Sequence, residues 1–432
     1  MKILLINPPN SGRSIPEEEY GIDTLKPIFR GEPLALEVLA GNLQGYEVMI
    51  LDLKVEPNGL AESLAAFSPD LVGITGMTCE ANGMLAIAEQ VKTYNQSIHI
   101  VVGGIYASMD GEFFNVPAVD YIVQGIGKLS FRMLVDCIER EERIIDLPAV
   151  ARTSPGTALI FPKKNYSATD LVEERPPRYD LVDKYRPSYT LTSLNLDMGF
   201  VATAFGCPFR CNFCCIRSLT DGKYLHHSVD SVLRDIKLLG DIPVIRLLDA
   251  NTFGSISQAT QLCTAIKDAG INKQFLADVR SDTVVKHPEL MAQWHAAGLR
   301  AVIIGFEEIT DQGLKEMNKA NNVAVNSRAI EILHDIGITI VGDFIISPWY
   351  NESDFDSLQR YINDHTIDLP MITVLTPLPG TPLYQEYQSK ITITDLDYYT
   401  LTNAVMETKL DTALFYQRYA TLLAEGHRGA KL

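Results

Sequence analysis

The chain has 432 residues, 46% hydrophobic and 21% charged, an ordinary globular composition long enough for two or three domains rather than one core. Its formal net charge of -17 excludes the broad basic surfaces that grip nucleic-acid backbones or anionic membranes, and directs attention to small-molecule substrates. No apolar run reaches the ~18 residues of a membrane span, and Met1 to Pro9 starts a strand rather than a secretion signal, so a cytoplasmic location is expected.

Over residues 1–138 short apolar runs alternate with helical stretches, the pattern of a parallel α/β sheet covered on both faces. Strands are predicted at 2–6, 47–51, 71–75, 98–102 and 121–123, and helices at 33–43, 60–67 and 80–94. Ligands of such sheets bind at the carboxyl ends of the strands. There the sequence places Gly73, Gly76, Gly103, Gly104, Gly125 and Gly127, each alone readable as a tight turn, together as a close-approach surface. Residues 139–197 carry Arg175-Pro-Pro-Arg178 and Arg186-Pro187, which disfavour helix, and read as an irregular linker.

After a β-like stretch over 198–205 come Cys207, Cys211 and Cys214, spaced C-x3-C-x2-C. Three thiolates on one short loop can wrap an iron-sulfur cluster, and stopping at three leaves one iron open to another ligand. A structural zinc site wants four ligands in separated pairs, whereas no second Cys pair follows, and His226 and His227 are adjacent. Seven cysteines are too few, and odd in number, for a disulfide framework. Cys79, Cys137, Cys215 and Cys263 read as ordinary buried thiols.

Residues 198–385 continue with strands predicted at 244–248, 275–279, 301–304, 339–346 and 371–376 and helices at 229–239, 259–269, 288–297 and 327–336, six βα units of a partial barrel. Active residues of such a barrel sit where strands end. That rule selects Asp249, Asn251, Arg280 and one of Glu307 and Glu308, since strand alternation turns only one of a neighbouring pair inward. Singly, Arg280 also reads as a salt-bridging residue, Asp249 as a helix cap, and the two glutamates as a solvated pair. Residues 386–432, with a helix at 411–424, read as a small cap over the substrate.

Cys207-x3-Cys211-x2-Cys214, with Phe213 before the last cysteine, resembles the signature of the radical S-adenosylmethionine superfamily. Residues 1–138 resemble the cobalamin-binding domain that precedes the radical domain in a large subgroup. The pieces that carry this second resemblance are 30–37, 50–54, 68–75, 101–108 and 120–127. Gly342-Asp-Phe-Ile-Ile-Ser-Pro348 and Thr376-Pro-Leu-Pro-Gly-Thr-Pro382 are similar to the same subgroup, which holds the hopanoid methylases and the anaerobic Mg-protoporphyrin ester cyclase.

The resemblance implies an α/β chain: an N-terminal doubly wound parallel-sheet cobalamin-binding domain, a partial (β/α)6 barrel, and a small helical C-terminal cap. It implies a 4Fe-4S cluster on Cys207, Cys211 and Cys214, with S-adenosylmethionine chelating the open iron. The Asp249 segment, with Asn251, then stands at the amino group, Arg280 at the carboxylate and Glu307 at the ribose. Gly73, Gly103, Gly104 and Gly125 stand at cobalamin.

The chain also departs from the subgroup. No Asp-x-His-x-x-Gly is present and Lys54 occupies the place of its cobalt-ligating His, so no lower axial imidazole is expected. Tyr106 replaces a frequent His, and Ile126 with Lys128 interrupts a frequent Gly-Glu-Gly-Glu. These changes either alter which face of the corrin is covered or mean that the cofactor is lost.

The implied reaction is methylation of an unactivated carbon through methylcobalamin and a 5′-deoxyadenosyl radical, fed by a one-electron reductant such as flavodoxin or ferredoxin. The alternative within the subgroup is a radical rearrangement, cyclisation or oxidation without methyl transfer. A non-catalytic sensor or electron carrier is a third reading, opposed by the lack of an output module and by the open fourth iron.

Overall fold

The computed structural model describes residues 1–22, 30–144, 146–191 and 196–428. Residues 23–29 of the predicted cobalamin-binding domain, 145 and 192–195 of the predicted linker, and 429–432 of the predicted cap lie outside the described residues.

Five strands, β1 (Lys2–Asn7), β2 (Glu47–Asp52), β3 (Leu71–Thr75), β4 (His99–Gly103) and β5 (Tyr121–Val123), pair in parallel in the order β2-β1-β3-β4-β5. The order reverses between β1 and β3, the switch point at which loops diverge and open a crevice at the carboxyl ends. β1 is apolar throughout its middle because both of its faces are covered. Ile3 and Leu5 pack toward helices Leu34–Gly41 and Lys128–Glu139, while Leu4 and Ile6 pack toward Leu60–Phe67 and Ala81–Tyr94.

The predicted linker is built into both domains. β6 (Val150–Arg152) adds an antiparallel edge to β5, and β7 (Thr190–Leu191) pairs antiparallel with the first barrel strand. Between them a 3-10 stretch, Tyr179–Ser188, lies against both sheets. Tyr179 donates to the Phe200 carbonyl at 2.9 Å, and Tyr189, just beyond, donates to Asp52 at 2.9 Å. Strands of two and three residues carry no readable period, which is why the sequence shows only a linker there.

The second sheet is curled and seven-stranded. Its parallel strands are β8 (Leu196–Val201), β11 (Val244–Leu247), β12 (Gln274–Asp278), β13 (Leu299–Glu307), β14 (Thr339–Ile346) and β15 (Leu369–Val374), in the order β15-β14-β13-β12-β11-β8-β7. β9 (Ala204–Phe205) and β10 (Leu225–His226) form a separate antiparallel pair that closes the base of the cysteine loop. Helices cover the outer face around a core centred on Trp294, whose indole N–H donates to the Ala259 carbonyl at 3.0 Å.

The C-terminal segment covers one edge of the barrel and reaches into the N-terminal domain. Helix Thr412–His427 packs on the outer side of β15, with Tyr419 donating to the Ile372 carbonyl at 2.7 Å. Leu396, Tyr399, Val405 and Met406 enter the core of the N-terminal domain. An open parallel sheet needs its last strand covered, and this segment supplies the cover while strapping the two domains together.

Candidate functional site

Cys207, Cys211 and Cys214 are half-buried on the loop between β9 and β10. The loop is latched to residues 316–318: Asn212 donates from its backbone to the Met317 carbonyl at 3.1 Å and from Nδ2 to the Glu316 carbonyl at 2.9 Å. Asn318 Nδ2 returns a bond to the Arg210 carbonyl at 2.6 Å. Burial raises the Cys211 thiol and pushes Cys214 up to about 12, with neighbouring thiols adding to both shifts. Ligation of a cluster displaces the protons of such raised thiols.

Among the described residues no three His, Cys, Asp or Glu side chains converge on a point suited to a single metal ion. A cubane makes a different demand, since each cysteine binds a different iron and the sulfurs need not converge. Three half-buried thiols on one pinned loop fit such a cluster. Of the other cysteines read as buried, only Cys263 is; Cys79, Cys137 and Cys215 are half-buried.

Arg280 and Asp249 both serve the loop. The Arg280 guanidinium stacks over the Phe209 ring at 3.6 Å, and donates to Asp282 at 2.9 Å and to the Lys319 and Ala320 carbonyls at 3.4 and 3.2 Å. Asp249 is not a helix cap. Its carboxylate accepts from Thr203 N and Oγ1, both at 2.7 Å, and from Ala204 N at 2.8 Å, bracing the strand that feeds the cysteines. Asn251 is buried beside it, its Oδ1 without a partner among the described residues.

The backbone gives the two glutamates different surroundings. Glu307 takes a left-handed φ of +64°, and the β13 register slips between Gly305 and Glu307. This bulge turns the Glu307 side chain inward, where it pairs with Lys319 Nζ at 2.5 Å. Glu308 faces away and accepts from Tyr350 Oη at 3.0 Å and Ile309 N at 2.8 Å. Within reach of Glu307 lie further charges, of which sequence reasoning missed Arg246. Arg246 is paired with Asp278, whose pKa burial pushes up to about 6 against the pull of Arg246. Asp343 on β14 is raised further, first by burial and then by Glu307 and Asp278. A lone charge inside an apolar strand run, as in Val244-Ile-Arg246-Leu, was the available signal.

At the carboxyl ends of β1, β3, β4 and β5 lies a cavity of about 430 Å³ that reaches Gly73, Gly103, Gly104, Gly125, Lys54 and Ile126, and is lined on the barrel side by Ala202, Phe205 and Leu248. Met77 and Leu248 are 51% and 44% exposed, apolar surface open to that space. Gly104 has a φ of +91°, and a Cβ there would strike Thr75 Oγ1. The mostly apolar walls and the glycine floor fit a flat, largely apolar macrocycle such as a corrin.

The positions that depart from the subgroup have plain locations. Lys54 Nζ is tied to Glu80 at 2.6 Å. Tyr106 is buried against Phe113 and Phe114. Lys128 points away from the cavity and donates to the carbonyls of Leu171, Val172 and Arg175 at 2.7, 3.0 and 3.2 Å.

Residues 23–135 match the family model of the B12 binding domain, and 201–362 match that of the radical SAM superfamily. The hopanoid C-3 methylase of Methylococcus capsulatus is 26% identical over 399 residues, covering 90% of this chain and 75% of that protein. The anaerobic magnesium-protoporphyrin IX monomethyl ester cyclase of Rubrivivax gelatinosus is 25% identical over 398 residues, covering 87% and 70%. In fold, the chain is similar to the radical S-adenosylmethionine methyltransferase TsrM from Kitasatospora setae, solved with cobalamin and a 4Fe-4S cluster: TM-score 0.71, 18% identity, 98% of this chain and 90% of that one. The two matched domains imply a 4Fe-4S cluster with S-adenosylmethionine for one and cobalamin for the other, and among the described residues no helix is long and apolar enough to cross a membrane. A B12 binding domain over residues 23–135 joined to a radical SAM domain over residues 201–362 places this protein among the cobalamin-binding radical S-adenosylmethionine enzymes.

Proposed function

We propose that the protein methylates an unactivated carbon of a small molecule, in the cytoplasm, at the expense of S-adenosylmethionine and one-electron reductant from a flavodoxin or ferredoxin. One observation carries this reading: the cobalamin cavity and the cysteine loop share a wall. Phe205, two residues before Cys207, and Leu248, next to Asp249, both line the cavity.

When bound, the cluster and S-adenosylmethionine supply a carbon radical and cobalamin supplies a methyl group. The chain supplies position. Cys207, Cys211 and Cys214 hold the cluster, while Asp249 and Arg280 fix the loop that carries them. Glu307, oriented by Lys319, accepts from the ribose hydroxyls, and Asn251 Oδ1 accepts from the amino group. Arg280 commits Nε and one terminal nitrogen to its loop contacts, and its other terminal nitrogen reaches the carboxylate.

The test is an anaerobic incubation of the reconstituted enzyme with S-adenosylmethionine, reductant and cell extract. Methyl transfer gives S-adenosylhomocysteine, 5′-deoxyadenosine and one substrate heavier by a methyl group. The similarity to the Rubrivivax cyclase keeps a second reading, cyclisation or oxidation without methyl transfer, for which deoxyadenosine appears without homocysteine.

A further inference from the structure

On β14 the side chains of Ile340, Phe344 and Ile346 enter the core between the sheet and its outer helices, so alternation turns Val341, Asp343 and Ile345 to the barrel interior. Asp343 is paired in register with Gly305 on β13, and the Glu307–Lys319 ion pair lies over that glycine, where a Cβ would meet both head groups. Four charged groups act on Asp343: Arg246 on β11, Asp278 on β12, Glu307 on β13, and Lys319 beyond helix Asp311–Glu316. They satisfy one another as two ion pairs, Arg246 with Asp278 and Lys319 with Glu307. Asp343 is left over, with neither a hydrogen bond nor an ion pair among the described residues. Its neighbour on the other side, Met371 of β15, brings no charge.

We propose that Asp343 is the residue that answers the sulfonium charge of S-adenosylmethionine. The proposal rests on the reading of Glu307 as the ribose partner, since the sulfonium is bonded to C5′ of that ribose. Asn251, Arg280 and Glu307 account for the amino group, the carboxylate and the ribose, and leave the permanently positive sulfur without a partner. A sulfonium has no N–H or O–H to donate, so only a nearby negative charge or oxygen lone pair recognises it. Burial and the carboxylates of Glu307 and Asp278 hold the Asp343 pKa well above the usual carboxylate range, so the empty site keeps a proton. An arriving cation favours the carboxylate, and the proton leaves to solvent. In S-adenosylhomocysteine, the product of methyl transfer, the sulfur is a neutral thioether, so Asp343 selects the charged co-substrate over its spent form.

The test measures equilibrium binding of S-adenosylmethionine and of S-adenosylhomocysteine to the cluster-loaded protein in the parent, Asp343→Asn and Asp343→Glu. The two ligands share every group except the sulfonium methyl and its charge, so the ratio of their affinities removes any general damage to the site. The proposal predicts that Asp343→Asn, nearly the same shape, weakens S-adenosylmethionine about fivefold or more while S-adenosylhomocysteine stays within about twofold. Asp343→Glu keeps the charge and should keep a ratio above that of the Asn variant. Calorimetry in two buffers of different ionisation enthalpy should show more proton released on S-adenosylmethionine binding by the parent than by Asp343→Asn. Equal weakening of both ligands, or an unchanged ratio, overturns the proposal and leaves the Glu307 reading standing. A parent that binds neither ligand refutes the Glu307 reading, and the proposal with it.

Discussion

The guanidinium of Arg280 lies 3.6 Å from the centre of the Phe209 ring, so a residue at the end of one barrel strand clamps the loop that carries the three cysteines. Its hydrogen bonds to the carbonyls of Lys319 and Ala320 bring the segment after β13 into the same clamp.

Replacing Arg280 by Lys keeps the charge and loses both the planar stack and the forked donors. Arg280→Lys should lower the iron retained per chain after anaerobic gel filtration at least twofold, and destabilise the fold by about 1–2 kcal/mol in urea. Arg210→Lys, on the same loop without that stack, serves as the comparison and should keep its iron.

Glu307 and Glu308 make a sharper contrast. Glu307→Gln should weaken S-adenosylmethionine binding about tenfold or more, since it loses a charged acceptor aimed into the barrel. Glu308→Gln should change it less than about twofold, because that carboxylate serves Tyr350 and Ile309. Equilibrium dialysis with labelled S-adenosylmethionine separates the two.

Much of this site is legible in the residues, and what escaped has physical causes. β3, β14 and helix Leu60–Phe67 match their predicted spans because turn residues or charge bound them on both sides. β13 runs three residues beyond its prediction because a bulge, invisible in composition, carries it to Glu307. The cysteine triad is legible because its ligands are local in sequence. Lys319 is not, since its partner is 12 residues away across helix Asp311–Glu316, and neither is the bracing role of Asp249, whose partners lie at residues 203–204. The strap formed by residues 391–406 has no local signal at all; its apolar residues find their place only in the folded chain.

Lys54 stands at the cavity bound to Glu80 rather than free. Cobalamin loaded into the protein should therefore show, in its reduced cob(II)alamin state, an electron paramagnetic resonance spectrum without nitrogen coupling from an axial imidazole. Lys54→Met leaves the Glu80 carboxylate buried and unpaired, and should destabilise the protein by about 3 kcal/mol in urea. A Lys54→Met, Glu80→Gln double variant should recover much of that loss.

His227 gives the fold an acid-sensitive element. Burial first, then the neighbouring Lys128, lowers its pKa from 6.5 to about 4. The unfolded chain therefore binds a proton more readily between those values, so the stabilisation is complete above pH 6.5 and is lost as the pH falls toward 4. The shift corresponds to ~3 kcal/mol. Urea midpoints at pH 7 and pH 4.5 should differ less in His227→Gln than in the parent by an amount of that order; equal slopes would remove His227 from the account.

The central claim is that Cys207, Cys211 and Cys214 hold a 4Fe-4S cluster with one iron open to S-adenosylmethionine. The most direct measurement is the electron paramagnetic resonance spectrum of the anaerobically reconstituted, reduced protein before and after S-adenosylmethionine is added. The account predicts a reduced-cluster signal whose g-values move on addition, and no such signal from Cys211→Ala. A signal that S-adenosylmethionine leaves unmoved, or a parent protein that assembles no cluster, would contradict it.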